Sequence, residues 1–272
     1  MKRRLLMGAA AAALPMVAAA QQPSRTAASS VPSARRTFVL VHGAWHGGWC
    51  WARVAQRLRA QGHTVYAPTL TGLADRRHLL SPQINLDTHI QDIALLLEHE
   101  ELRDVVLVGH SYAGIVISGV ADRVPGPLAQ LVYLDALLLE SGKSIFSSFS
   151  KDVVAQRLQA IKETGAGVGA VAAFPPSAFG VHDAADAAWV ARRLTPQPVG
   201  TYLQPLILEA PLGNGVAKTY IDCTREPMTN LVAGKIRIRG DSSWTLRTLD
   251  TGHDAMVTAP AELTSLLMDI AG

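Results

Sequence analysis

Two cysteines in 272 residues, Cys50 and Cys223, exclude a disulfide-built scaffold. Both fall within regular elements and not in loops that obviously meet, so two buried free thiols are expected. Charge is also scarce. Asp, Glu, Lys and Arg make up 17% of the residues and hydrophobic residues 49%. A disordered chain needs the opposite balance, so this one has ample material for a large core. No apolar run approaches the about 20 residues that a membrane-spanning helix requires. No internal repeat is present, and no Asp or Glu occurs before Asp75.

That last absence explains the formal net charge of +3 and the isoelectric point near 9.0. Lys2, Arg3 and Arg4 precede an apolar, alanine-rich run from Leu5 to Val17, and Ala18-Ala19-Ala20 follows. This three-part pattern is that of a secretory signal, with cleavage expected before Gln21. Arg3-Arg4 fits a twin-arginine signal only in part. Without residues 1–20 the chain carries 22 basic and 22 acidic residues, so the basic balance belongs to the leader. It therefore gives no reason to expect a nucleic-acid partner or a stable membrane anchor in the mature form. The expected location is outside the cytoplasm, periplasmic or secreted. Residues 21–36 are rich in Ser, Ala and Pro without periodicity and read as a flexible linker.

From Thr37 onward strands alternate with helices. The apolar, β-branched runs 37–41, 64–67, 105–108, 131–134, 219–223 and 244–249 read as six strands, the central ones buried on both faces. Helical spacing marks 51–61, 85–97, 115–120 and 260–270. The alternation predicts an α/β fold, a parallel sheet of about six strands flanked by helices. Between about 137 and 218 it stops. That stretch is too long for a loop and carries helical patches at 153–162 and 184–194. It reads as an inserted helical cap over the carboxyl ends of the strands, where such sheets bind ligands.

Gly109-His110-Ser111-Tyr112-Ala113-Gly114 lies directly between a buried strand and a helix. A nucleophile elbow needs that context, with small residues two before and two after the serine. Gly109 fits, and Ala113 stands where glycine is usual. Ser111 is the candidate nucleophile. His253, after the last strand, is the histidine that chain order assigns as its base. His63, His78, His89, His99 and His182 read as loop or surface residues. The Gly-rich loop after the first strand, His42-Gly43-Ala44-Trp45-His46-Gly47-Gly48-Trp49, offers the Ala44 amide, which with that of Tyr112 would form an oxyanion hole. Trp45 would line the substrate floor. His42 and His46 have no third ligand nearby in sequence, so no metal site is expected.

The first-strand segment 38–49, the Gly-His-Ser-Tyr-Ala-Gly elbow and Gly252-His253-Asp254-Ala255-Met256 together resemble α/β-hydrolases, in particular the small methylesterase and hydroxynitrile-lyase group and its bacterial esterase relatives. The resemblance covers 37–272. It implies the α/β-hydrolase fold and a serine hydrolase without a cofactor, and does not fix the substrate; the large apolar cap residues Phe174, Phe179, Trp189, Tyr202 and Leu206 would suit a small to medium, largely apolar carboxylic ester. It leaves lactone or amide hydrolysis and a non-catalytic ligand-binding role as alternatives, and the oligomeric state open. Hydroxynitrile lyases of the group resemble one another in a Lys after the histidine, where this chain has Asp254. The resemblance offers two places for the triad acid. Methylesterases imply the segment after the penultimate strand, here Cys223-Thr224-Arg225-Glu226, so Glu226. Haloalkane dehalogenases and some lipases imply the tip of the strand after the nucleophile helix, so Asp135. Asp135 is the first choice and Glu226 the second, with Asp222 and Asp250 behind them.

Overall fold

The computed structural model describes residues 35–164 and 169–272. The leader expected at 1–20 and the linker as far as residue 34 lie outside the described residues. Arg35 and Arg36, given to the linker by composition, are tied to the body. The Arg36 amide donates to His63 Nδ1 at 3.2 Å, and its carbonyl accepts from the Thr64 amide at 3.0 Å.

The elements follow in the order β1 (Thr37–Val41), α1 (Ala52–Ala60), β2 (Thr64–Tyr66), α2 (Leu86–His99), β3 (Val105–His110), α3 (Ala113–Arg123) and β4 (Leu128–Leu134). The inserted region holds α4 (Lys151–Thr164), β5 (Ala170–Val171), α5 (Ala184–Ala191), β6 (Gln197–Pro198) and the single-turn α6 (Gly200–Leu203). Then come β7 (Ala217–Cys223), α7 (Val232–Ile238), β8 (Trp244–Leu249), the short α8 (Ala255–Thr258) and α9 (Pro260–Ala271).

Six strands form one parallel sheet in the order β2-β1-β3-β4-β7-β8, as the alternation predicts. β3 lies at its centre and is buried along its whole length, which suits the Val-Val-Leu-Val run. The outer strand β8 keeps Thr245, Leu246, Arg247 and Thr248 exposed, with the arginine interrupting an edge that would otherwise invite pairing. α2 begins at a reciprocal cap: the Asn85 side chain accepts from the Thr88 amide, and Thr88 returns a bond to the Asn85 amide. Its Leu86, Ile90, Ile93 and Leu97 are buried at helical spacing. β5 and β6 pair antiparallel as a two-residue ribbon within the inserted region. Cys50 and Cys223 are free and buried, and burial pushes both thiols up. Among the described residues no helix is long and apolar enough to cross a membrane.

Besides the short β5, β6, α6 and α8, one longer element escapes the sequence pattern. α7, Val-Ala-Gly-Lys-Ile-Arg-Ile, combines a central glycine with β-branched residues, a poor helix former by propensity. Packing overrides propensity there. Leu138 presses on Gly234 so closely that an added Cβ would stand 3.2 Å from the Leu138 Cβ.

Candidate active site

Ser111 stands between β3 and α3 with a φ of +53°, a left-handed conformation unusual for a residue with a Cβ. Three bonds hold it there: the Ser111 amide donates to the Leu134 carbonyl at 3.1 Å, and its carbonyl accepts from the Leu137 amide at 2.9 Å and the Gly114 amide at 3.0 Å. The turn has no room for larger residues on either side. A Cβ on Gly109 would lie 2.7 Å from the Ala113 carbonyl oxygen, and one on Gly114 would lie 2.3 Å from that of Leu137. Ala113 is fully buried yet fits, so the glycine that the elbow demands is displaced by one position, to Gly114.

The loop after β1 passes beside the elbow. A Cβ on Gly43 would stand 3.0 Å from the Ser111 Cβ and 2.8 Å from His110 Nδ1. Neither the Ala44 nor the Tyr112 amide donates to a backbone carbonyl among the described residues. The Tyr112 side chain is fixed from below. Its hydroxyl meets His89 Nδ1 at 2.9 Å, while His89 Nε2 donates to the Thr71 carbonyl at 2.9 Å. Trp45, at φ +66°, is held by the inserted region: its amide donates to Gln197 Oε1 at 3.0 Å and its indole Nε1 to the Val171 carbonyl at 3.0 Å.

Asp135 sits at the tip of β4, itself at φ +40°, with its amide donating to Ile221 of β7 at 2.8 Å. Its Oδ2 accepts from His253 Nδ1 at 2.6 Å, and both side chains are buried, 3% exposed for His253 and fully enclosed for Asp135. This pairing leaves His253 Nε2 as the basic nitrogen. The structure brings Asp135 to His253 and does not bring Glu226. Glu226 Oε1 instead meets His182 Nε2 at 2.8 Å, in a pair 42% and 59% exposed. Asp250 pairs with Arg225 at the surface. Asp222 and the second oxygen of Asp135 share Lys235 of α7, whose Nζ lies 2.5 Å from Asp222 Oδ1 and 2.6 Å from Asp135 Oδ1. Burial alone would raise the Asp135 carboxyl, but His253 and Lys235 outweigh it and hold the group below the usual carboxylate range.

A second buried carboxylate follows the base. Asp254 Oδ2 lies 3.0 Å from His46 Nε2, and His46 Nδ1 lies 2.8 Å from the Ala44 carbonyl. Both ring nitrogens face acceptors, so His46 is an imidazolium. Burial works against that charge, yet Asp254 holds His46 above its ordinary value, and His46 in turn holds Asp254 below its own. His110 is the opposite case. Its Nε2 donates to the His253 carbonyl at 3.0 Å and its Nδ1 has no partner. Burial, reinforced by His253, pushes it down to about 3. His110 thus stays neutral and fixes the backbone of His253. Beside it, Gly180 and Gly252 pack back to back: a Cβ on either would come within 2.6–2.7 Å of the other's Cα.

Two histidines depart from the surface reading. His89 is fully buried under Tyr112, and burial pushes it down to about 4. His63 is buried with its ring edge-on to Phe38 at 5.4 Å. In both cases the partners lie well away in sequence, so local polarity misleads. His42 donates from Nδ1 to the Gly43 carbonyl and accepts the Leu70 amide at Nε2, which satisfies the ring without a metal. No group of three or more metal-ligating side chains occurs among the described residues. Lys235, Asp254, His46 and Gln197 were not among the candidates from sequence. The one cue in sequence to any of them was His46 and Asp254 flanking the two motifs that meet here.

Ser111 and His253 open onto one cavity of about 240 Å³, together with Ala44, Trp45 and Tyr112. Its remaining walls are mostly apolar, from Leu137, Ile145, Phe149, Phe174, Phe179 and Tyr202. A larger cleft of about 700 Å³ lies elsewhere, between the β1 and β2 loops and Arg192, Arg193 and Thr195, and contains none of these groups.

The model of the alpha/beta hydrolase family matches residues 38–266. A carbendazim-hydrolyzing esterase of Nocardioides sp. is 41% identical over 241 residues, which cover 85% of this chain and 97% of that protein. Methylesterase 10 of Arabidopsis thaliana is 37% identical over 103 residues, 37% of each chain. Among solved structures, an extracellular alpha/beta-hydrolase from a Paenibacillus species superposes with a TM-score of 0.73 at 23% identity, over 87% of this chain and 99% of the other. A methylesterase protein from Arabidopsis gives 0.69 at 20% identity, over 86% and 98%.

Proposed function

The chain belongs to the alpha/beta hydrolase family, and on that premise we propose that it is a serine esterase working through an acyl-enzyme on Ser111. It is a carboxylic-ester hydrolase like the esterases it is similar to. The finer reading concerns which residues do the chemistry and on what. The observation that carries it is the shared cavity of Ser111 and His253, with His253 Nδ1 bonded to the enclosed Asp135 at 2.6 Å.

In this reading His253 Nε2 takes the Ser111 proton as Oγ attacks the ester carbonyl. The oxyanion that forms is held by the Ala44 and Tyr112 amides. Collapse of the tetrahedral species expels the alcohol, which receives the proton from His253. Water then repeats the sequence on the acyl-enzyme. Asp135 keeps His253 in the tautomer with hydrogen on Nδ1 and stabilises the imidazolium in both steps. Lys235 fixes the other carboxylate oxygen, so the acid cannot rotate away. An apolar cavity of about 240 Å³ suits a small to medium, largely apolar ester, with Trp45 on its floor. The body from 37 to 272, with its cap at about 137–218, would be exported after cleavage before Gln21.

Activity-based labelling tests this directly. A fluorophosphonate is expected to modify Ser111 and no other residue, and short p-nitrophenyl esters are expected to be cleaved faster than matched lactones and amides. Failure to label, or preference for an amide or a lactone, overturns the reading. So does binding of an ester without turnover. Mass spectrometry of the same preparation from the producing cell is expected to find Gln21 at the N-terminus, and an intact Met1 would end the proposal of export.

A further inference from the structure

The active-site cavity is lined by one full cation and no carboxylate. The cation is Arg157, on α4 of the cap. Its guanidinium lies over the Phe149 ring, 4.2 Å from the centroid. Phe149 leads to Phe146 at 6.5 Å, Phe146 to Tyr202 at 5.5 Å, and Tyr202 to Trp45 at 6.4 Å. Arg157 therefore ends a run of ring contacts that starts at the loop carrying the oxyanion amide. Its charge is felt along that run. Burial pushes the Tyr202 phenol up, and Arg157 opposes it. Lys235, the cation behind Asp135, by contrast pairs with both Asp135 and Asp222. Among the described residues no carboxylate pairs with Arg157.

A guanidinium stacked on one face presents its N–H edge to the space beside it, the geometry that meets a carboxylate with two parallel bonds. The apolar walls around it lower the local dielectric and strengthen such a pair. Thr229 and Asn230, from the loop before α7, add neutral polar groups to the same cavity.

We infer that Arg157 makes this cavity selective for esters that carry a carboxylate at the end remote from the scissile bond, such as monoesters of short dicarboxylic acids. The inference rests on the esterase reading above and names its substrate class. The apolar walls of Phe149, Ile145 and Tyr202 take the methylene chain, Arg157 takes the free carboxylate, and Ser111 attacks the ester carbonyl. The chemistry is the hydrolysis already described: water is consumed, the alcohol leaves, and the dicarboxylate departs with both charges.

The test compares monomethyl and dimethyl esters of the C4 to C8 dicarboxylic acids on the purified protein, its R157M and R157K variants. The parent is expected to favour the monoanion in kcat/KM, mainly through KM. R157M is expected to lose about ten times more kcat/KM on the monoanion than on the dimethyl ester, one charge-assisted contact's worth of discrimination. R157K is expected to recover part of it, and rising salt to erode the preference of the parent. A ratio of monoester to diester rates that is the same in parent and R157M overturns the inference, leaving Arg157 as a cover for Phe149. Binding separates this from the esterase reading. In the S111A protein, calorimetry is expected to detect the monomethyl ester of adipic acid, and R157M added to S111A is expected to weaken it about tenfold. Equal affinity with and without Arg157 overturns the inference even if the parent is a good esterase, and a parent that binds the monoester through Arg157 without cleaving it breaks only the esterase reading.

Discussion

Among the histidine–carboxylate pairs of the described residues, two with nearly the same contact distance differ in almost everything else. His253 and Asp135 meet at 2.6 Å, 3% and 0% exposed, at the ends of β8 and β4. His182 and Glu226 meet at 2.8 Å, 59% and 42% exposed. The first pair is enclosed by the sheet, and the Asp135 carboxylate has a lysine on its second oxygen. The second pair is surrounded by water, which screens it and competes for each of its bonds. A histidine–carboxylate contact in itself identifies nothing. A carboxylate can hold an imidazole tautomer through a catalytic cycle only where water does not compete for it.

The strongest way to break this comparison is to neutralise each acid in turn. D135N is expected to lower kcat on a p-nitrophenyl ester on the order of ten-thousandfold, because an amide cannot stabilise the imidazolium. E226Q is expected to change it less than about twofold, as a surface pair contributes little. Equal or reversed losses would show that the exposed pair carries the chemistry.

Acid unfolding sharpens the comparison next. His42, His110 and His89 are buried neutral, pushed down to about 3, 3 and 4. The unfolded chain binds a proton at each of them below about pH 6.5, where the folded protein does not. The share of stability that depends on these three rings is therefore intact above pH 6.5 and falls as pH drops toward 4, with a limiting slope on the order of 4 kcal/mol per pH unit for three such groups. Urea midpoints between pH 7 and 4 measure it. A flat profile for the parent would mean that the three rings titrate freely.

The smallest effect concerns Lys235. K235M removes the cation from one Asp135 oxygen, so that carboxyl is expected to titrate higher. In an NMR pH titration the Asp135 carboxyl midpoint is then expected to lie above that of the parent, while kcat on the plateau falls much less than in D135N. An unmoved midpoint accompanied only by lower thermal stability would reduce Lys235 to a structural strut.

The sheet was legible in the sequence because its central strands, buried on both faces, are runs of apolar and β-branched residues that stand out along the chain. The edge strands β2 and β8 were read from shorter or more polar runs of the same kind, and the elbow and the position of His253 from their place after β3 and β8. The acid was only narrowed to alternatives. Asp135 and Glu226 both end or follow strands next to the right place, and which carboxylate reaches the imidazole depends on strand order and loop path. Lys235 was hidden by Gly234 and its β-branched neighbours, whose helix exists because Leu138 packs on it. His89 looked like a polar position on a surface helix because Thr71 and Tyr112, which enclose it, lie 18 and 23 residues away. Polar side chains in a core are chosen by partners distant in sequence, and a local pattern does not contain them.

The back-to-back packing of Gly180 and Gly252 bears on how such a protein can change. One glycine belongs to the cap, and the other immediately precedes the base. Neither position can accept a single carbon while the other backbone stays where it is. The neighbouring bond from the Asp254 amide to the Phe179 carbonyl, at 3.0 Å, ties the same two segments together. The inserted region is therefore bound at this margin to the segment that carries His253: a side chain at 180 needs a backbone shift at 252, and the reverse, so substitutions here are expected to be tolerated only in pairs.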